Sequence, residues 1–90
     1  MSDNPETHTL TVRYFAALRE ALGASESVAL PVGQTLGQLR DALIARGGRH
    51  AELLARGRAL RCALNQVMAD EATAVPAGAE VAFFPPVTGG

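Results

Sequence analysis

The stretch TLGQLRDALIARGG, residues 35–48, constrains the fold more than any other part of the chain. Thr35 followed three residues later by Gln38 is a capping-box pattern, in which each side chain satisfies a free backbone N–H at a helix start. Leu36, Leu39 and Leu43, joined by Ala42, make one apolar stripe at helical spacing. Arg46 falls in the expected last turn, where a cation suits the helix dipole, and Gly47 stops the helix. Gly37 weakens this helix only slightly. A 90-residue chain has room for one domain and one modest core, and this is its only well-marked helix. Whatever strands surround it must share that single cover.

Strands do surround it. His8 to Tyr14 alternates, with Leu10, Val12 and Tyr14 on one face and Thr9, Thr11 and Arg13 on the other. Phe15 to Leu22 reads as a short helix closed by Gly23. Ser27 to Val32 alternates through Val28, Leu30 and Val32, ending near Pro31 and Gly33. Beyond the main helix, residues 50–57 suit a short helical turn, and a strand is expected at about 60–65. Asn65-Gln66 marks a bend, Val67-Met68 a short extended piece, and Pro76-Ala77-Gly78-Ala79 a turn. Glu80 to Phe84 is the last strand, with Val81 and Phe83 opposite Ala82 and Phe84. This order predicts an α+β fold, a ubiquitin-like β-grasp with a mixed sheet and one main helix packed on one face. Residues 1–7 form a loose arm, 8–84 the domain and 85–90 an extended tail.

Composition excludes several classes. The formal net charge of −1 leaves no electrostatic footprint for nucleic acid. His8 and His50 have no second ligand at metal spacing, so no metal site is expected. Cys62, the single cysteine, points inward in its alternation and reads as an inert buried thiol. The start has no basic n-region or apolar h-region, and no run approaches a membrane span. A cytoplasmic location without membrane attachment is expected. All eight basic residues are arginine, so no side-chain amine is available to accept an acyl group.

Apolar parity breaks at three places. Phe15 points away from the Leu10/Val12/Tyr14 face, Phe84 points opposite to Val81 and Phe83, and Met68 lies in the short strand past the bend. A sheet covered by one helix has an open face, and these residues either crowd it as a docking patch or tuck into the core rim. Pro85 and Pro86 then end the strand and hold the chain extended. Val87 and Thr88 suit strand-like contacts in a partner's groove. Gly89 and Gly90 fit a channel too narrow for side chains. The reactive group of such a tail is the terminal carboxylate of Gly90, which needs activation by ATP before it can donate an acyl group.

VRYFAALRE, TLGQLRDAL, ALNQ and above all GAEVAFFPPVTGG resemble the family of small, sulfur-carrier subunits of molybdopterin synthase. The likeness runs from about Leu10 to Gly90, with residues 47–60 adding little. It implies that an adenylating enzyme similar to the ubiquitin-activating class uses ATP to adenylate Gly90. Sulfuration from a donor on that enzyme then gives a thiocarboxylate. It implies further that the tail enters the large, catalytic synthase subunit. There it gives sulfur to cyclic pyranopterin monophosphate, two carriers serving each pterin in a heterotetramer. The carrier itself binds no cofactor and has no catalytic apparatus. Family members bind both partners through an apolar surface whose positions fall on Phe15, Met68 and Phe84. Arg19 matches a family arginine without an assigned role. Sulfur carriers for thiamine, cysteine or tRNA thiolation, a protein modifier, and an interaction domain with an incidental Gly-Gly remain as alternatives. The missing lysines argue against a polymer-forming modifier.

Overall fold

The computed structural model describes residues 6–86. Five strands, β1 (Thr7–Tyr14), β2 (Ser25–Pro31), β3 (Arg61–Leu64), β4 (Val67–Ala69) and β5 (Glu80–Phe84), form one sheet in the order β2-β1-β5-β3-β4. All neighbours run antiparallel except the central pair, β1 and β5, which is parallel. Three helices accompany it: α1 (Ala17–Leu22), α2 (Leu36–Ile44) and α3 (Gly48–Leu53). This is the mixed β-grasp sheet that the element order predicts.

The core forms where strand and helix periodicities meet. Leu10, Val12 and Tyr14 of β1, Val28 and Leu30 of β2, and Val81 and Phe83 of β5 lie under Leu36, Leu39 and Leu43 of α2. The three leucines are wholly buried. At about 1.5–3 kcal/mol each, they make α2 the main clamp on the sheet. The capping box is present, with Thr35 and Gln38 bonding each other's backbone N–H. Segment 71–75 crosses the start of α2, as Gly37 N–H donates to the Glu71 carbonyl at 2.9 Å and Leu36 N–H to Thr73 at 2.9 Å. A Cβ on Gly37 would sit 3.2 Å from that Glu71 oxygen, so the glycine permits the crossing. Asn65 and Gln66, both at positive φ, form the two-residue hairpin turn between β3 and β4.

Several expectations need correction. Val32 is exposed rather than buried with Val28 and Leu30, because β2 ends at Pro31 and Gly33 turns at φ 91°. Ala42 faces solvent, and the stripe position expected for it is taken by Arg40, which is buried. Arg46 lies beyond the Ala45 cap rather than in the last turn of α2. The first helix begins at Ala17, not Phe15, because Ala16 takes a positive φ of 57°. β2 begins two residues earlier than expected and β1 one residue earlier, and the helical turn placed at 50–57 is α3 at Gly48–Leu53.

Arg46 instead reaches Glu26 of β2, which also meets Tyr14 and His50. The Tyr14 hydroxyl donates to Glu26 Oε2 at 2.7 Å, and His50 Nε2 lies 2.8 Å from the same oxygen. One carboxylate thus ties β1, β2, α3 and the exit of α2 together. Burial pushes its pKa up, but hydrogen bonds from His50, Tyr14 and Arg46 outweigh that and hold it down at about 2. The ionised carboxylate therefore stabilises the fold fully above the ordinary range near about 4.3, and that contribution is lost as pH falls through about 2. Between about pH 6 and pH 2, the native chain should lose on the order of 2 kcal/mol more than Glu26→Gln. Thermal melts across that window check it. Parallel slopes would show that the cluster does not hold the carboxylate.

Candidate functional site

The parallel pairing of β1 with β5 sets Tyr14 beside Phe83, both in the core. The next residue after each, Phe15 just past β1 and Phe84 in β5, turns outward. Phe15 N–H donates to the Phe83 carbonyl at 3.3 Å, which holds its backbone against β5. Ala16, at φ 57°, then swings the chain away in a conformation that disfavours side chains. Phe15 and Phe84 consequently meet edge to face, ring centroids 6.4 Å apart and planes at 88°. Such a pair adds about 0.5–1.5 kcal/mol beyond its burial. Arg13 Cζ lies 5.4 Å from the Phe15 ring centre, and its guanidinium donates to Glu80 at 3.0 Å.

The register places a second row beside this pair. Ala82 of β5 faces Ala63 of β3, and Ala63 faces Met68 of β4. Two alanines keep the floor low between the aromatic pair and the methionine. Met68 is 55% exposed and Phe15 37%, while Phe84 is half-buried. The choice between docking patch and core rim therefore falls differently for each: Met68 and Phe15 stand out from the sheet, and Phe84 is partly covered by its aromatic partner. All three share the face that carries no helix, at the end of β5 from which the tail leaves.

Pro85 and Pro86 follow, both half-buried. Pro86 lines an open groove of about 420 Å³ with Ala59, Leu60, Arg61, Cys62 and Met68. Cys62 is buried there, its thiol donating to the Ala69 carbonyl at 3.3 Å. Burial, then the Glu71 and Asp70 carboxylates, push that thiol up, which keeps it protonated and a poor nucleophile. Val87, Thr88, Gly89 and Gly90, the expected tail residues, lie outside the described residues. Arg19 is exposed on α1 and makes no side-chain hydrogen bond among the described residues. No group of three or more potential metal ligands occurs among them, and no helix is long and apolar enough to cross a membrane.

Residues 12–90 match the ThiS family. The chain belongs to that family. Among its curated relatives is the molybdopterin synthase sulfur carrier subunit of Haemophilus influenzae, 38% identical over 90% of this chain and 99% of that protein. Solved ubiquitin-like structures share the fold. Small archaeal modifier protein 1 of Haloferax volcanii has TM-score 0.65 and 29% identity, covering 89% of this chain and 99% of that one. A complex of subunits 1 and 2 of the molybdopterin-converting factor from Helicobacter pylori contains a chain at TM-score 0.59 and 25% identity, covering 91% and 99%. The resemblance to molybdopterin synthase carriers in the sequence is therefore a real kinship.

Two polar features that hold the fold of this ThiS-family chain escape a sequence reading based on apolar residues alone. Arg40 sits at i+4 from Leu36 and i−3 from Leu43, inside the apolar stripe, so helical spacing marks its position although its charge does not. Glu26 shares strand parity with Val28 and Leu30, which places a carboxylate on the helix-covered side and calls for partners.

Proposed function

We propose that this chain is the sulfur carrier subunit of a molybdopterin synthase. The observation that carries the reading is the exposed apolar face of Phe15, Met68 and Phe84 at the root of a Pro85-Pro86 lead into Gly89-Gly90. The curated relatives support it. The Gly90 carboxylate attacks the α-phosphorus of ATP on an adenylating enzyme, pyrophosphate leaves, and an acyl-adenylate forms. A sulfur nucleophile from the donor then displaces AMP and leaves a thiocarboxylate. The carrier next docks its apolar face on the large synthase subunit, threads residues 85–90 into that subunit's channel and gives its sulfur to cyclic pyranopterin monophosphate. Two carriers in a heterotetramer complete one dithiolene. Catalysis belongs to the partners, ATP is consumed by the activating enzyme, and the work takes place in the cytoplasm.

Intact-mass spectrometry tests this directly. After incubation with ATP, the host's activating enzyme and a sulfur donor, the chain should gain the mass of one sulfur for one oxygen. No gain, with the activating enzyme shown to work on another carrier, would overturn the reading. The likeness to a small archaeal modifier protein supports a second reading, transfer of the same acyl group to an amine of another protein. That reading predicts covalent adducts of this chain in place of a thiocarboxylate.

A further inference from the structure

Strand parity decides which charged side chains share the open face of the sheet. Within the five strands they are Arg13, Arg61 and Glu80. Glu80 is committed to Arg13 at 3.0 Å. Arg61 stands directly opposite Phe84 in the β3–β5 register, is exposed, and pairs with no carboxylate among the described residues. Two carboxylates lie near it along the groove that it lines with Pro86. Asp70 spends Oδ1 on the Ala72 N–H at 2.9 Å and on the Thr73 hydroxyl. Glu71 is held by Arg40 and Arg56. A chain with net charge −1 thus sets a cation without an ion pair among the described residues next to the aromatic pair and the tail root.

We propose that Arg61 is the rim contact of the docking face, and that the partner surface it meets is an apolar centre bordered by a carboxylate beside the entrance for the tail. The inference rests on the proposed function and adds to it the charge of the partner surface. Complementary charge at a rim acts chiefly on association: it steers encounter and fixes register, whereas the buried apolar centre governs dissociation. Arginine suits the place because its planar fork accepts a carboxylate with two parallel hydrogen bonds. An apolar patch of small area gains orientation from one such contact at its edge.

The test is the binding kinetics of the full chain with the large synthase subunit, at about 50 mM and about 1 M salt, where the Debye length falls to about 3 Å. Arg61→Glu should slow association about tenfold at low salt, and the difference should shrink below about twofold at high salt. Phe84→Ala should instead speed dissociation at both salts. Arg49→Glu makes the same change in net charge on α3, across the sheet, and should leave association within about twofold of the native rate. Equal slowing by Arg61→Glu and Arg49→Glu, or none by either, would overturn the inference and leave the sulfur-carrier reading standing. Absence of binding by the native chain at either salt overturns both.

Discussion

A chain lacking Gly90 is expected to form no thiocarboxylate and to support no sulfur transfer, with a thermal midpoint within about 1 °C of the native value. The reasons lie at opposite ends of the structure. Under the proposed function the reacting carbon belongs to the last residue, and removing one residue withdraws it by about 3.5 Å. Enzymes that position reactants lose about a hundredfold for a misplacement near 1 Å, so this withdrawal takes the rate below detection. Appending one residue after Gly90 should do the same, because the acyl carbon then lies beyond the reacting position. The core, by contrast, runs from Leu10 to Phe83, and no side chain of it is lost. Single-turnover sulfur transfer and a thermal melt on the same sample separate the two effects. More than a tenth of native activity would sink the assignment of Gly90. A fall of several degrees would make the end of the chain a structural element.

The second large effect concerns folding. Arg40→Ala should cost about 3–5 kcal/mol. At roughly 4–8 °C per kcal/mol for a domain of this size, the midpoint should fall by at least about 12 °C. The Arg40 side chain is 4% exposed, and its guanidinium makes four hydrogen bonds. Nε donates to the Leu54 carbonyl at 2.7 Å, Nη2 to Ala55 at 2.6 Å and to Arg58 at 3.0 Å, and Nη1 to Glu71 at 2.8 Å. Segment 54–58 has no ladder of its own; the Ala55 carbonyl also takes the Arg58 N–H at 2.9 Å, whereas among the described residues the Leu54 and Arg58 carbonyls are met by the arginine. The same segment leads into Ala59 and Leu60, which wall the groove at the tail root. Arg40→Lys should rescue little, since a single ammonium cannot span the positions that the planar fork reaches. Urea unfolding checks the magnitude. A loss under about 1 kcal/mol would mean that water satisfies those carbonyls as well as the guanidinium does.

Much of the fold was legible because its signals are local. The Thr35–Gln38 box and three leucines at helical spacing describe α2 without reference to any other segment. Glu80–Phe84 has the boundaries that its alternation predicts. Asn65-Gln66 turns because asparagine tolerates positive φ and its carboxamide accepts the Glu80 N–H at 2.9 Å. Reading failed where a residue's fate depends on something distant. Val32 has the right parity for the core, yet β2 ends at Pro31, the chain turns at Gly33, and its side chain stays in water. Arg46 has the right charge for a helix end, yet Glu26, twenty residues earlier, draws it elsewhere.

The candidate site divides the same way. Phe15 and Phe84 stood out by parity and Met68 by its place past the bend, because a strand places successive side chains on opposite faces whatever it pairs with, but docking patch and core rim were both open to them. That they share one face, with Phe15 edge-on to Phe84 and Arg61 opposite it, follows only from the β1–β5 and β3–β5 registers. Register is set by burying whole rows of side chains at once, and no local stretch contains that information. By itself the sequence determined the order of the elements, the apolar rows and the Pro-Pro-Val-Thr-Gly-Gly stretch on which the proposed chemistry rests. The tertiary structure decided which outward residues become neighbours, which cation on the open face of the sheet has no ion pair among the described residues, and which arginine is buried to hold the wall beside the tail, because each depends on contacts between residues far apart in the chain.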